Sequence, residues 1–78
     1  MKMTQYFRTT RRRPDRIAIK DEWIAKVCRE AQFRSVQADG RIRLWGRISE
    51  AENRFLRVVL LADGETVHNA FFDRSFKP

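Results

Sequence analysis

The segment Arg41-Ile42-Arg43-Leu44-Trp45-Gly46-Arg47-Ile48 alternates without interruption between cationic or aromatic side chains and aliphatic or small ones. Successive side chains of a β-strand point to opposite faces, so this alternation describes a half-buried strand. Arg41, Arg43, Trp45 and Arg47 fall on one face, and Ile42, Leu44, Gly46 and Ile48 on the other. The pattern also fixes the neighbours. A one-residue slip would carry guanidinium groups into the core, where burying them is prohibitive.

Two further strands follow. Arg54-Phe55-Leu56-Arg57-Val58-Val59-Leu60-Leu61 is rich in β-branched and aliphatic residues, and Glu65 to Phe72 is the last such run. Asp63-Gly64 between them is a strong hairpin signal. A two-residue turn there predicts Leu60 opposite Val67, Val58 opposite Asn69 and Leu56 opposite Phe71. The other face then pairs Val59 with His68, Arg57 with Ala70 and Phe55 with Phe72. With Ser49–Asn53 as a five-residue loop, Ile48 faces Arg54, Gly46 faces Leu56, Leu44 faces Val58 and Ile42 faces Leu60. The two registers collect Ile42, Leu44, Ile48, Leu56, Val58, Leu60, Val67 and Phe71 on one side. Asn69 is the one polar intruder there, and burial would oblige it to find a hydrogen-bond partner.

A helix is expected from about Asp21 to Ala31, with Asp21 as its cap and Glu22 in its first turn. Trp23, Ile24, Val27, Cys28 and Ala31 recur at helical spacing and form its apolar stripe. A helix this short needs a sheet to dock on. Ser35 to Ala38 reads as a short strand closed by the Asp39-Gly40 turn, and Tyr6 and Phe7 fit a short first strand. The expected fold is α+β, one main helix on one face of a three- to four-stranded antiparallel meander. It forms a single domain. Residues 1–16 are a basic arm with an optional edge strand, 17–74 the helix and sheet, and 75–78 a tail.

Composition narrows the chemistry. Residues 1–20 carry seven basic side chains against Asp15 alone, so most of the net charge of +7 sits in the first quarter of the chain. Arg11, Arg12 and Arg13 are its densest cluster. Such an arm suits an anionic partner, either RNA or an acidic protein segment. One cysteine, Cys28, rules out an internal disulfide, and no Cys/His spacing suits zinc. No metal or cofactor is implied. No apolar run approaches the ~20 residues of a membrane span, and no apolar segment follows the basic N-terminus, so a cytoplasmic protein with no membrane partner is expected.

On the predicted outer face, Arg41, Arg43, Trp45 and Arg47 lie beside Arg57, with His68 diagonal to it and Phe55 and Phe72 at one end. Metal-free cleavage of RNA needs cations for the charge developing on phosphorus and groups that move protons. Arg57, a charge inside an otherwise apolar strand, suits the first task. His68, the only side chain with an ordinary pKa near neutrality, suits the second. Trp45 and Phe72 are candidates for base stacking. Structural readings stand beside these. Trp45 covers the open side of a thin sheet with arginines stacked on it, and Arg57 pairs with Glu50, Glu52 or Asp73.

The layout, with Asp39-Gly40-Arg41, the Arg54–Leu61 strand and a last strand ending Val67-His68-Asn69-Ala70-Phe71-Phe72, resembles small bacterial proteins related to the RelE/BrnT-type toxins of toxin–antitoxin pairs. The Asp39–Phe76 stretch also resembles a group of short bacterial proteins of unassigned function. The toxin resemblance implies a metal-independent endoribonuclease acting on messenger RNA, with Arg57 and His68 in its site and an antitoxin masking the basic face. It is incomplete, because such enzymes often carry a C-terminal catalytic tyrosine and the only tyrosine here is Tyr6. The alternatives are a non-catalytic nucleic-acid binder and a small protein-binding module or complex subunit.

Overall fold

The four strands form one antiparallel sheet in sequence order: β1 (Phe33–Val36), β2 (Ile42–Ile48), β3 (Arg54–Leu60) and β4 (Val67–Phe72). This arrangement comes from a computed structural model that describes residues 1–78. Two helices, α1 (Gln5–Thr10) and α2 (Asp21–Glu30), precede the sheet, and the architecture is α+β. No helix is long and apolar enough to cross a membrane.

The β2–β3 register is the one the alternation predicts. Ile42 pairs with Leu60, Leu44 with Val58, Trp45 with Arg57, Gly46 with Leu56 and Ile48 with Arg54. The connection is a short 3-10 turn at Ser49–Ala51 followed by Glu52 and Asn53, both at positive φ. β1 is Phe33–Val36 rather than Ser35–Ala38. It pairs Phe33 with Trp45 and Ser35 with Arg43.

The β3–β4 register departs from expectation after one rung. Leu60 faces Val67 as predicted, but beyond a bulge Val59 faces Asn69, Val58 faces Ala70, Arg57 faces Phe71 and Leu56 faces Phe72. His68 is the extra residue. A regular ladder would put the Asn69 amide against the helices. The bulge instead turns Asn69 and Phe71 to the outer face and seats Ala70, 1% exposed, in the core. The turn itself is held by the Asp63 carboxylate, which accepts from the backbone N–H groups of Glu65 and Thr66 and from the Thr66 hydroxyl. Led by that hydroxyl, these bonds bring the Asp63 carboxyl down to about 2.

Both helices serve one core. Phe7, Ile19, Trp23, Ile24 and Val27 pack with Leu44, Ile48, Leu56, Val58, Leu60, Val67 and Ala70. Tyr6 and Phe7 are therefore helical, not extended. The Thr4 hydroxyl caps α1 by accepting the Phe7 N–H at 3.1 Å, and the helix drives Phe7 into the core at 1% exposure. Burying a side chain of this size contributes about 1.5–3 kcal/mol, which outweighs the strand propensity of its neighbours. Just before α1, Met3 bridges Val67 in parallel, with Val67 N–H donating to Lys2 C=O and Thr4 N–H to Val67 C=O.

Lys20, not Asp21, caps α2, and it does so without a side-chain bond. The Asp21 carboxylate is engaged by Arg11 instead. The buried stripe of α2 is Trp23, Ile24 and Val27, narrower than the spacing suggests. Cys28 is exposed.

Gly46 lets α2 approach the sheet. A Cβ at this position would lie 2.9 Å from Val27 Cγ2. Gly46→Ala is expected to lower stability by about 1–3 kcal/mol through overpacking, read as a lower urea midpoint. Adding Val27→Ala should recover part of that loss, and strictly additive losses would show that the two residues do not meet.

Candidate nucleic-acid interface

The face of the sheet away from the helices carries Phe33 and Ser35 from β1, Arg43, Trp45 and Arg47 from β2, Phe55, Arg57 and Val59 from β3, and Asn69 and Phe71 from β4. Its chemistry divides into an open polar groove and a covered aromatic slot.

The groove has a volume of about 440 Å³ and is lined by Tyr6, Gln37, Arg41, Arg57, His68 and Asn69, with Val59 and Phe71 behind them. Residues remote in sequence meet here. α1 supplies Tyr6, the turn leading into β2 supplies Arg41, β3 supplies Arg57, and the bulge supplies His68. Tyr6 stacks on the His68 ring at 4.9 Å with the planes 22° apart, and it is half exposed. His68 Nδ1 lies 3.2 Å from the Thr4 hydroxyl. That oxygen already accepts the Phe7 N–H; its hydrogen and its second lone pair let the bond with Nδ1 run in either direction, set by the ring tautomer. Burial, aided by the Arg41 guanidinium and opposed by Asp39, holds His68 below its ordinary pKa. Neutral His68 is a hydrogen-bond donor at Nε2 in one tautomer and an acceptor there, able to serve as a base, in the other.

Arg57 stands between groove and slot. Its guanidinium is 5.6 Å from the Trp45 ring centroid and 5.2 Å from that of Phe71. Asp73 pairs with it at 3.7 Å, the partner that sequence reasoning offered among three. The long distance leaves the pairing electrostatic without a hydrogen bond. Arg57 Nε is buried with no acceptor.

Trp45 is 8% exposed and cannot stack on a base in this state. Phe76 of the C-terminal tail lies parallel to it at 4.6 Å, and Phe33 and Phe55 meet Phe76 edge-on. The indole Nε1 donates to Asp73 Oδ2 at 3.0 Å. Burial raises the Asp73 pKa, but bonds from Trp45 and from the Ser75 hydroxyl and N–H, together with nearby Arg57, outweigh it and leave the carboxyl below its ordinary value. Around the slot, Arg43 lies 5.7 Å from the Trp45 ring centroid and donates to the Ser35 hydroxyl, while Arg47 lies over Phe55 at 4.9 Å.

The remaining expected contacts lie elsewhere. The bulge moves Phe72 to the helix side, where it packs edge-on against Trp23 with Arg54 over its ring. Arg11 is tied to Asp21 and Arg13 pairs with Asp15 at 3.6 Å. Arg12 has no carboxylate partner. With Arg8 and Arg11 it borders a separate cavity of about 500 Å³ on the far side of α1. Sequence reasoning missed Tyr6, Thr4, Gln37, Asn69 and Phe76. Only Asn69 left a signal, as a polar residue in an apolar column. No three His, Cys, Asp or Glu residues come together to hold a metal ion. No protein-family model, curated protein or solved structure matches the chain.

The lowered pKa of His68 has a definite sign in stability. The unfolded chain titrates near the ordinary 6.5, so on acidification it takes up the proton before the folded chain does. The contribution of His68 is whole above about pH 6.5 and is lost as pH falls through its folded value. Thermal midpoints measured from pH 8 to pH 5 should fall at the acid end for the wild type and flatten there in His68→Gln. A parallel decline in both chains would assign the slope to other groups.

Proposed function

We propose that this chain binds single-stranded RNA along its outer sheet face. The carrying observation is the open groove that gathers Arg41, Arg57 and the Tyr6–His68 stacked pair from four separate parts of the chain. Guanidinium groups suit phosphate oxygens and an exposed aromatic ring suits an unstacked base. Gln37 and the NH2 group of Asn69, whose Oδ1 already accepts from Arg16 at 2.7 Å and from the Ala70 N–H, supply the hydrogen-bonding groups that a ribose hydroxyl or a base edge requires. Arg41 is exposed, and its pairing with Asp39 at 3.6 Å is a surface contact that costs little to exchange for phosphate.

Metal-independent cleavage is the second reading, favoured by the presence of His68 and Arg57 in the same groove. In it, Arg57 stabilises charge on phosphorus and His68 handles a proton. An acidic antitoxin covering these cations belongs to this reading, in line with the resemblance to RelE/BrnT-type toxins.

Anisotropy of a labelled RNA of about ten nucleotides, within the range of small single-strand sites, checks the binding reading. Tyr6→Ala is expected to weaken binding about 5- to 150-fold, the range for one base–aromatic stack. Arg41→Ala should weaken it and reduce the slope of log K against log salt by about 0.7, one phosphate contact on a single strand. Affinity that ignores salt and both substitutions would remove the groove as the site. Equal affinity for the matching DNA would remove RNA selectivity. The same RNA incubated with excess protein in EDTA decides cleavage. Products that vanish with 2′-deoxy substitution support it, and intact RNA refutes it.

A further inference from the structure

The tail from Asp73 to Pro78 covers the aromatic slot with two groups of contrasting chemistry. Phe76 presents a flat ring to Trp45 at 4.6 Å and 14°, walled by Phe33 and Phe55. Three residues earlier, the Asp73 carboxylate accepts from Trp45 Nε1 and faces Arg57 at 3.7 Å. A planar ring on an indole and an anion beside a guanidinium are also what a nucleotide would present to this surface.

We propose, resting on the RNA-binding reading, that the tail is an intramolecular stand-in for a nucleotide. Phe76 occupies the place of a base and Asp73 the place of a phosphate. A single-stranded RNA displaces the tail and continues from the groove across Arg57 into the slot.

Independent features support this. Arg43 and Arg47 flank the slot, and neither has a carboxylate within ion-pairing distance. Two cations without anionic partners thus border a surface whose central ring is covered by the Phe76 side chain. Asp73 is anchored to β3, where its N–H donates to Phe55 C=O at 3.0 Å, and its side chain accepts from the Ser75 N–H and hydroxyl. Beyond it the tail has one long backbone bond, Phe76 N–H to Asp73 C=O at 3.4 Å, so Phe76 is the loosely held part. Beyond Phe76, Lys77 and Pro78 are exposed and make no hydrogen bond or ion pair. Arg57 faces both compartments, so displacement frees a cation that the groove already uses.

The test uses the 78-residue chain with Phe76→Ala and with Asp73→Asn, and the same labelled single-stranded RNA. A closed tail lowers apparent affinity by the fraction of molecules that are open, so Phe76→Ala should tighten binding about tenfold if one molecule in ten is open. Asp73→Asn keeps an acceptor for the indole and removes the competing charge. It should tighten binding and steepen the salt slope by about 0.7, the signature of one added phosphate contact. Far-UV circular dichroism and urea midpoints accompany each variant. If Phe76→Ala does not fold, Asp73→Asn decides alone through its salt slope. Unchanged or weaker binding in the folded variants overturns the tail's role and makes Phe76 purely a cover. That result leaves the groove intact as long as Tyr6→Ala and Arg41→Ala still weaken binding. Loss of the RNA reading would appear differently, as no salt-dependent binding by the wild type or any variant.

Discussion

A four-stranded sheet has two faces to protect from water, and a chain of 78 residues has helices enough for one. This constraint organises the molecule. α1 and α2 cover the side of Leu44, Leu56, Val58 and Ala70. The other side is closed by a different device, an indole sealed between guanidinium groups and a returning tail. The Asp73 carboxylate fastens it, binding Trp45 Nε1 while facing Arg57, with only 8% of its side chain exposed. Without that carboxylate, the indole N–H and the Arg57 charge would be left to each other across an apolar surface. Leaving a buried polar group unpaired costs about 1–3 kcal/mol.

The same economy shapes the electrostatics. Most ion pairs of this basic chain are exposed at both ends, as with Lys2–Glu65 and Arg29–Glu30, and such pairs add little to stability. Arg57–Asp73 is the pair in which both partners are largely removed from water. On the outer face of the sheet, the cations without a carboxylate partner are disposed over aromatic rings, Arg43 over Trp45 and Arg47 over Phe55. There their apolar stems cover carbon surface while the charge stays available to solvent or an anion. Burial of the outer face and retention of positive potential are achieved by the same side chains.

How much of this was legible in the sequence depends on the range over which each choice is made. The β2–β3 pairing was readable because alternation on one strand and apolar residues on the other admit a single register, and that register alone placed Trp45 opposite Arg57. The end of the chain was not readable. Phe76 and Trp45 are separated in sequence by β3 and β4, and no periodicity links them. α1 was misread because Tyr6, Phe7, Thr9 and Thr10 have strand propensity. A Thr4 cap and one deeply buried ring override that local preference. The bulge left one trace, Asn69, whose amide had no reason to sit among aliphatic neighbours.

That bulge has a consequence for how the chain could vary. Which side of the sheet a strand leaves from is a matter of parity, the odd or even count of residues since its last fixed rung. His68 adds one to that count between Val67 and Asn69. The bulge absorbs that extra residue. Iron it flat with His68 in place and every later side chain would exchange hemispheres: Asn69 and Phe71 would turn toward the helices, and the tail would depart on their side, out of reach of Trp45. Remove the codon for residue 68 and a regular ladder would keep Asn69 opposite Val59 and Ala70 opposite Val58. Position 68 is therefore a place where β4 can lose a residue and keep the hemispheres of all that follows, giving up only the ring beside Tyr6.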